Sequence, residues 1–379
     1  MVQIRTSKRV FQFNTRKKKE IMNLTQNIHD SNRPFLITGP CSAESPEQVM
    51  SVAKEIAANG HANVLRAGIW KPRTRPDSFE GMGEIALPWL IEAGKETGLP
   101  VTTEIANRHH AELALKAGVD ILWIGARTTV NPFAIQEIAD FLQGVKIPVM
   151  VKNPVNPDLE LWIGAFERLE KAGITDLVAI HRGFSVYKHP KYRNVPTWEL
   201  PIALRERLPD LPIICDPSHI TGRRDLLLEV SQKAMDLNFD GLMIETHPNP
   251  DKAWSDAAQQ VTPDGLKDIL SQLILRTRDF SSIDTGAIDE LRLKITNLDD
   301  RLFDILSARM NMSEEVGRFK LQHNITILQQ ERWIKIIESR LSKSDNYQLS
   351  ERFIRQIMDA IHQESIRHQT KVMNKRNEP

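Results

Sequence analysis

Eight short apolar runs, each followed by a polar or amphipathic stretch, recur along the first two-thirds of the chain. They are FLITGPC ending at Cys41, VLRAG around Arg66, PVTTEI holding Glu104, and ILWIGAR ending at Arg127. PVMVKN holding Lys152, LVAIHRG ending at His181, Arg182 and Gly183, PIICDPSH ending at His219, and GLMIETH holding Glu245 complete the series. Runs of this length, rich in β-branched residues, read as buried strands, and the stretches between them read as amphipathic helices. Eight strand–helix units in a row predict an α/β chain with a (β/α)8 TIM barrel over residues 34–275. The active site of such a barrel gathers at the C-terminal ends of its strands. The charged residues of this chain fall at those ends.

The pattern then changes. Residues 1–33 form an N-terminal arm before the first run, and residues 276–286 (RTRDFSSIDTG) are polar and aperiodic, as a linker is. From residue 287 to 379 no strand signal remains. Ile288, Leu291, Ile295, Leu298, Leu302, Ile305, Met312, Val316 and Phe319 recur in alternating steps of three and four, a heptad seam on one long helix of roughly 50 Å. Asp284 or Thr285 stands where its N-cap belongs. A break near Asn324 precedes a second helix over about 328–343 and a third from about 350 to beyond Gln369. These predict an all-α domain, completed by a partner chain.

Composition narrows the function. Lys and Arg number 50 and Asp and Glu 49, a net charge of +1, which lacks the basic excess of a nucleic-acid binder. No apolar run reaches the ~18 residues that cross a bilayer, so no membrane partner is expected. The basic stretch Arg16–Lys19 is not followed by an apolar segment, so it reads as a solvated arm and not as a secretory signal. Two cysteines, Cys41 and Cys215, make no disulfide framework, and a reducing cytoplasmic location is expected.

Cys41 alone reads as inert packing. Taken with His219, Glu245 and Asp256, which follow the seventh and eighth strands and so neighbour the first once a barrel closes, it forms a mixed S/N/O donor set. Such a set suits a divalent ion such as Mn, Fe, Co or Zn. Donors scattered over several strand ends favour a catalytic ion over a structural one. Arg66, Lys71, Arg73, Arg127, Lys152 and Arg182 form a second group. Any one of them reads as a solvated surface charge. Together, at four or five strand ends and without nearby acids, they point to a substrate pair carrying several negative charges.

LRAGIWKPRT, IGAR, VKNP, HRG, DPSH and IETH followed by a serine–aspartate pair resemble the compact bacterial type of 3-deoxy-D-arabino-heptulosonate-7-phosphate (DAHP) synthase. That resemblance implies condensation of phosphoenolpyruvate with erythrose 4-phosphate. It implies Cys41, His219, Glu245 and Asp256 as ligands of a divalent metal (Mn2+ or similar). Arg66, Lys71, Arg127, Lys152 and Arg182 would clamp phosphoenolpyruvate, and Arg73 and Thr74 would hold erythrose 4-phosphate. Lys71, Lys152, Glu104 and His219 are the catalytic candidates. The related 3-deoxy-D-manno-octulosonate-8-phosphate synthase has an asparagine–arginine pair after the lysine, where this chain has Pro72 and Arg73. Arg75 departs from the usual serine after KPRT.

In the helical part, Arg309 takes a seam position where Leu or Ile is expected, and Arg292 and Lys320 edge the same face. Ile357, Ile361, Ser365 and Gln369 form one row on the last helix. Tolerated polar positions in a coiled coil are one reading, and an anionic ligand inside a helical bundle is the other. LRLKI, ARMNMSEEVGRFK, ERW and ESIRHQ resemble the all-helical chorismate mutases. That implies Arg292, Arg309, Arg332 and Ser365 on the carboxylates of chorismate, and Lys320 and Gln369 on its ether oxygen. It implies a homodimer through the helical domain, with Arg292 supplied by the partner. Gln329 and Trp333 depart from that family's aspartate and glutamate, so a weaker mutase is expected. Resemblance to other such fusions implies feedback inhibition of the barrel by prephenate. Two rivals stay open: a helical domain that only senses and dimerises, and a barrel that makes the eight-carbon sugar acid.

Overall fold

The computed structural model describes residues 22–31, 34–72, 77–187, 191–276 and 285–374. The chain divides into two compact units, Met1–Arg278 and Asp279–Pro379. In the first unit β1 (Phe35–Gly39), α1 (Pro46–Ala58), β2 (Val64–Arg66), α2 (Leu87–Thr97), β3 (Val101–Ile105) and α3 (Arg108–Ala117) open the series. It continues with β4 (Ile121–Ile124), α4 (Pro132–Leu142), β5 (Val149–Lys152), α5 (Leu159–Lys171), β6 (Leu177–His181) and α6 (Glu199–Arg207). β7 (Ile213–Cys215), α7 (Leu227–Asp236), β8 (Gly241–Glu245) and α8 (Pro263–Ser271) close it. All neighbouring strands pair in parallel, and β8 returns to β1 from Phe35↔Gly241 to Gly39↔Glu245, so the sheet is a closed barrel. The predicted barrel is borne out. Strands covered on both faces are apolar nearly throughout, which is why they read as continuous runs.

Two apolar layers hold the barrel. Side chains between strands and helices form the outer one, with Leu65, Leu122, Val151 and Leu242 facing α-helical residues such as Val52, Leu90 and Trp162. The lumen is filled by Ile37, Val64, Trp123, Met150, Val178, Ile180, Ile214 and Met243. Leu24 and Ile28 join this inner cluster from a short helix, Leu24–His29, ahead of β1. The arm expected over residues 1–33 is therefore structured in its last part. Asp176, just before β6, receives the Leu24 and Thr25 amides at 2.7 and 2.9 Å and fixes the helix start. Periodicity missed this helix because six residues span too few turns to show an amphipathic pattern. Leu24 is fully buried, so Leu24→Ala is expected to cost ~2–5 kcal/mol, read as a lowered denaturant midpoint of the barrel.

The second unit has α9 (Gly286–Gln322), α10 (Gln330–Leu341), a single turn Ser344–Tyr347 and α11 (Glu351–Asn374). Thr285 stands at the N-cap of α9 without a side-chain capping bond, and Asp284 lies outside the described residues. Met310, Ser313, Gly317 and Lys320 form the buried stripe of α9, and on α11 Ile354, Ser365 and Gln369 are buried. The expected seam is a different stripe: its nine apolar residues, Ile288 through Phe319, are each 43–65% exposed within the chain. Gly317 allows the close approach of the helices, since a Cβ there would lie 3.1 Å from the Gln369 Cα.

Candidate active sites

The C-terminal ends of the barrel strands place the sequence-predicted groups at one mouth. Arg66 ends β2, Lys152 ends β5 and Glu245 ends β8, all buried. Cys41 follows β1, and its amide donates to Gln260 Oε1 at 3.0 Å. Arg66 Nη2 lies 3.1 Å from Glu245 Oε1 and donates to the Cys41 carbonyl at 3.3 Å. Its guanidinium also lies over the Trp123 ring, 4.8 Å from the centroid. Arg66 Nε and Nη1 are buried without a hydrogen-bond partner. Lys152 donates to Asp216 Oδ2 at 2.9 Å. Arg182 donates to Asn194 Oδ1 at 2.8 Å and to the Gly183 carbonyl at 3.3 Å. Burial, with Arg193 and Arg127 nearby and Asp216 opposing, lowers Arg182 to about 10. Arg127 lies just past β4 and is exposed. Arg73 and Thr74 lie outside the described residues.

The expectation that these cations lack nearby acids is corrected. Arg66 faces Glu245 and Lys152 faces Asp216. Isolated buried charges are too costly to keep, so each is paired in place.

Among the described residues, no group of three or more His, Cys, Asp or Glu side chains is arranged to hold a metal ion. The four predicted donors stand as two pairs. Cys41 Sγ lies 3.4 Å from Asp256 Oδ2, and His219 Nε2 lies 3.8 Å from Glu245 Oε1. The Lys71 ammonium donates to Cys41 Sγ at 2.8 Å. Burial works against its charge, but Cys41, Glu245 and Asp256 more than offset that and raise its pKa. A cation is thus already seated among three of the four donors. Glu245 Oε1 is buried with no hydrogen bond. His219 Nδ1 lies 2.8 Å from Asp216 Oδ2, and burial lowers the imidazole's pKa. A neutral ring held by a carboxylate at Nδ1 presents Nε2 as a donor, the arrangement common behind metal-bound histidine. Burial raises Asp256, but Arg193 and Lys71 outweigh it and hold the carboxyl well below its ordinary range. Asp256 sits at φ +46°, a left-handed conformation that aspartate tolerates but that stores strain. By donor chemistry, one thiol, one imidazole and two carboxylates, the residues fit a borderline divalent ion.

Glu104 accepts from Trp123 Nε1 at 3.1 Å. Gly125 leaves it room, since a Cβ there would lie 2.0 Å from Glu104 Oε1. Sequence reasoning missed Asp216, Arg193 and Gln259. Asp216 joins Lys152 to His219 and also caps the short helix Pro217–Thr221 through the His219 amide. Its place before a proline at a helix start was the available signal. Arg193 Nη1 bonds Asp256 Oδ1 at 2.9 Å and Gln259 Oε1 at 2.8 Å. Gln259 in turn donates to Glu245 Oε2 at 2.7 Å. Arg193 and Gln259 had no local pattern to reveal them.

The helical unit holds a second cluster. Lys320 is buried, and its Nζ donates to Gln369 Oε1 at 3.0 Å and to the Ile327 carbonyl at 2.6 Å. Arg309 donates to Ser365 Oγ. Burial lowers Lys320, and Arg332 adds to that. No acid forms an ion pair with Arg309, Lys320 or Arg332 among the described residues. Arg292 does not join them. It pairs with Asp289 at 3.0 Å, on the exposed first part of α9, about 25 Å along the axis from Arg309.

The sequence profile of the DAHP synthetase I family matches residues 13–279, and that of chorismate mutase type II matches residues 291–370. A phospho-2-dehydro-3-deoxyheptonate aldolase of Thermotoga maritima is 32% identical over 238 residues, covering 63% of this chain and 68% of the relative. A 2-dehydro-3-deoxyphosphooctonate aldolase of Dechloromonas aromatica is 27% identical over 282 residues, covering 68% and 95%. The crystal structure of the Thermotoga maritima aldolase (DAHP synthase) superposes with a TM-score of 0.56 over 64% of this chain and 68% of that one, at 32% identity. A truncated form of 3-deoxy-D-arabino-heptulosonate 7-phosphate synthase from the same organism gives 0.54 at 29% identity, covering 64% and 85%. The chain therefore belongs to the DAHP synthetase I family and carries a type II chorismate mutase after the barrel, a transferase and an isomerase of aromatic biosynthesis in one polypeptide.

Proposed function

We propose that the barrel condenses phosphoenolpyruvate with erythrose 4-phosphate to DAHP and phosphate, with a divalent ion such as Mn2+ held by Cys41, His219, Glu245 and Asp256. The observation that carries this reading is the Arg66 guanidinium, buried against Glu245 and Cys41 with Nε and Nη1 unpartnered. A bound anion satisfies both donors. Arg66, Lys71, Arg127, Lys152 and Arg182 hold phosphoenolpyruvate, and Arg73 and Thr74 hold the sugar phosphate. The ion, when bound, supplies polarisation of the aldehyde carbonyl. The cations hold the methylene carbon of phosphoenolpyruvate at attack distance from the aldehyde carbon, where orientation contributes several orders of magnitude. A carbon–carbon bond forms, water adds to the former enol carbon, and the carbon–oxygen bond to phosphate breaks. Glu104, Lys152 and His219 are the titratable groups for the accompanying proton transfers.

The helical unit rearranges chorismate to prephenate. Arg309, Arg332 and Ser365 take the carboxylates. Lys320 and Gln369 face the ether oxygen, whose negative charge develops in the transition state. The partner's helix in a homodimer supplies its copy of Arg292. Support for that dimer comes from the seam, since a nine-residue apolar row on the chain surface calls for cover. The free, buried cysteines suit the cytoplasm. Prephenate inhibits the barrel. The two reactions are several steps apart, so channelling does not account for the fusion, whereas a fused sensor does.

The test assays both activities of the intact chain, with and without chelator and prephenate. Chelation should abolish the synthase reversibly and spare the mutase. Saturating prephenate should slow the synthase by about 5–150-fold, a coupling of ~1–3 kcal/mol. A chain without mutase turnover leaves the helical unit as a sensor only. Preference for arabinose 5-phosphate over erythrose 4-phosphate makes the barrel the eight-carbon synthase.

A further inference from the structure

His362 lies on α11 three residues before Ser365 and seven before Gln369, so the three share one helix face. Ser365 and Gln369 contact Arg309 and Lys320. The His362 ring lies flat on Trp333, with centroids 3.9 Å apart and planes 12° apart. Trp333 follows Arg332 on α10. Neither ring nitrogen of His362 bonds a described residue. A half-buried imidazole with two open polar edges is a poor choice for packing alone, because a phenyl ring would stack on Trp333 without leaving a polar group unpaired.

We infer that His362 is a further binding residue of the helical site, donating a ring N–H to an oxygen of the anionic ligand while Trp333 fixes the ring plane. The inference rests on reading that site as the chorismate site. The stack removes one degree of freedom from the imidazole and sets its edge relative to Arg309 and Lys320. A neutral donor there adds a directed hydrogen bond to the ligand beside the charges that attract it.

The groups acting on His362 are Arg309 and Lys320 from α9 and Asp359 from its own helix, with Arg332 beside Trp333 on α10. Burial first, then Arg309 and Lys320, lower its pKa below the ordinary 6.5, and Asp359 opposes them. The free site therefore carries a neutral imidazole at neutral pH. An anionic ligand favours the imidazolium, so binding should tighten as the pH falls on the acid side of neutrality.

The experiment measures mutase kcat and KM for chorismate from pH 5.5 to 8 in the intact chain, for wild type, His362→Phe and His362→Gln. His362→Phe keeps a flat ring for the stack and removes the N–H. It should raise KM by about tenfold, change kcat by less than about threefold, and flatten the acidic limb of the KM profile. His362→Gln restores a donor without the stack and should recover part of the lost KM. A His362→Phe enzyme with wild-type KM and an unchanged profile makes the residue a packing group only. If that variant does not fold, His362→Gln decides: a KM no better than that of His362→Ala overturns the inference. Failure of the underlying reading looks different, as wild type itself would then lack mutase turnover.

Discussion

Cys41→Ser is expected to abolish carbon–carbon bond formation while mutase turnover stays within a few-fold. The hydroxyl is a much poorer ligand than a thiolate for the borderline ions suited to this donor set. Lewis-acid assistance is worth several kcal/mol, so the synthase rate should fall by roughly 10³-fold at about 1.4 kcal/mol per decade. A second readout is bound metal per chain, which should fall with the rate. Burial, reinforced by Glu245 and opposed by Lys71, pushes the Cys41 thiol up to about 12. Seating an ion must displace that proton and the Lys71 ammonium at 2.8 Å. Metal affinity should therefore rise with pH in wild type, and this dependence should weaken in the variant. Full synthase activity in metal-free buffer, for either protein, would falsify the assignment.

Arg309→Ala should remove most mutase activity and leave the synthase and the oligomeric state unchanged. Arg309 meets the Ser365 hydroxyl and no carboxylate, and burial lowers its pKa. Its charge is not repaid within the chain, which is the signature of a group held for a ligand. Truncating one partner of a hydrogen-bonded charge pair costs about 2–5 kcal/mol, so kcat/KM should fall by roughly 30- to 10³-fold. The thermal midpoint should not fall, since a desolvated cation leaves the fold. A variant that dissociates yet keeps its turnover per folded site would instead make Arg309 a structural residue.

The sequence by itself determined the barrel, because strands buried on both faces must be apolar almost throughout and their helices must alternate with them. It also placed Cys41, Arg66, Lys152 and Glu245 at one mouth, since the parallel order puts every strand's C-terminal end on the same side. It marked three long helices by period alone. Tertiary structure decided which charges meet. Lys152 at the end of β5 and Asp216 after β7 are 64 residues apart and meet only because the curved sheet aims both at one mouth across β6. The loops after β6 and β8 bring Arg193 to Asp256, and the loop after β8 folds back to bring Gln259 to Glu245, contacts without any local pattern. In the helical unit the most regular apolar stripe of α9 is not the one buried within the chain. The buried stripe runs from Met310 through Ser313, Gly317 and Lys320, the last three small or polar residues that period analysis passes over. Packing chose it because small side chains let α11 approach closely and bring Gln369 to Lys320 and Ser365 to Arg309. Periodicity reports which residues avoid water. Which of them meet within one chain depends on how closely the backbones approach, and only the folded arrangement fixes that.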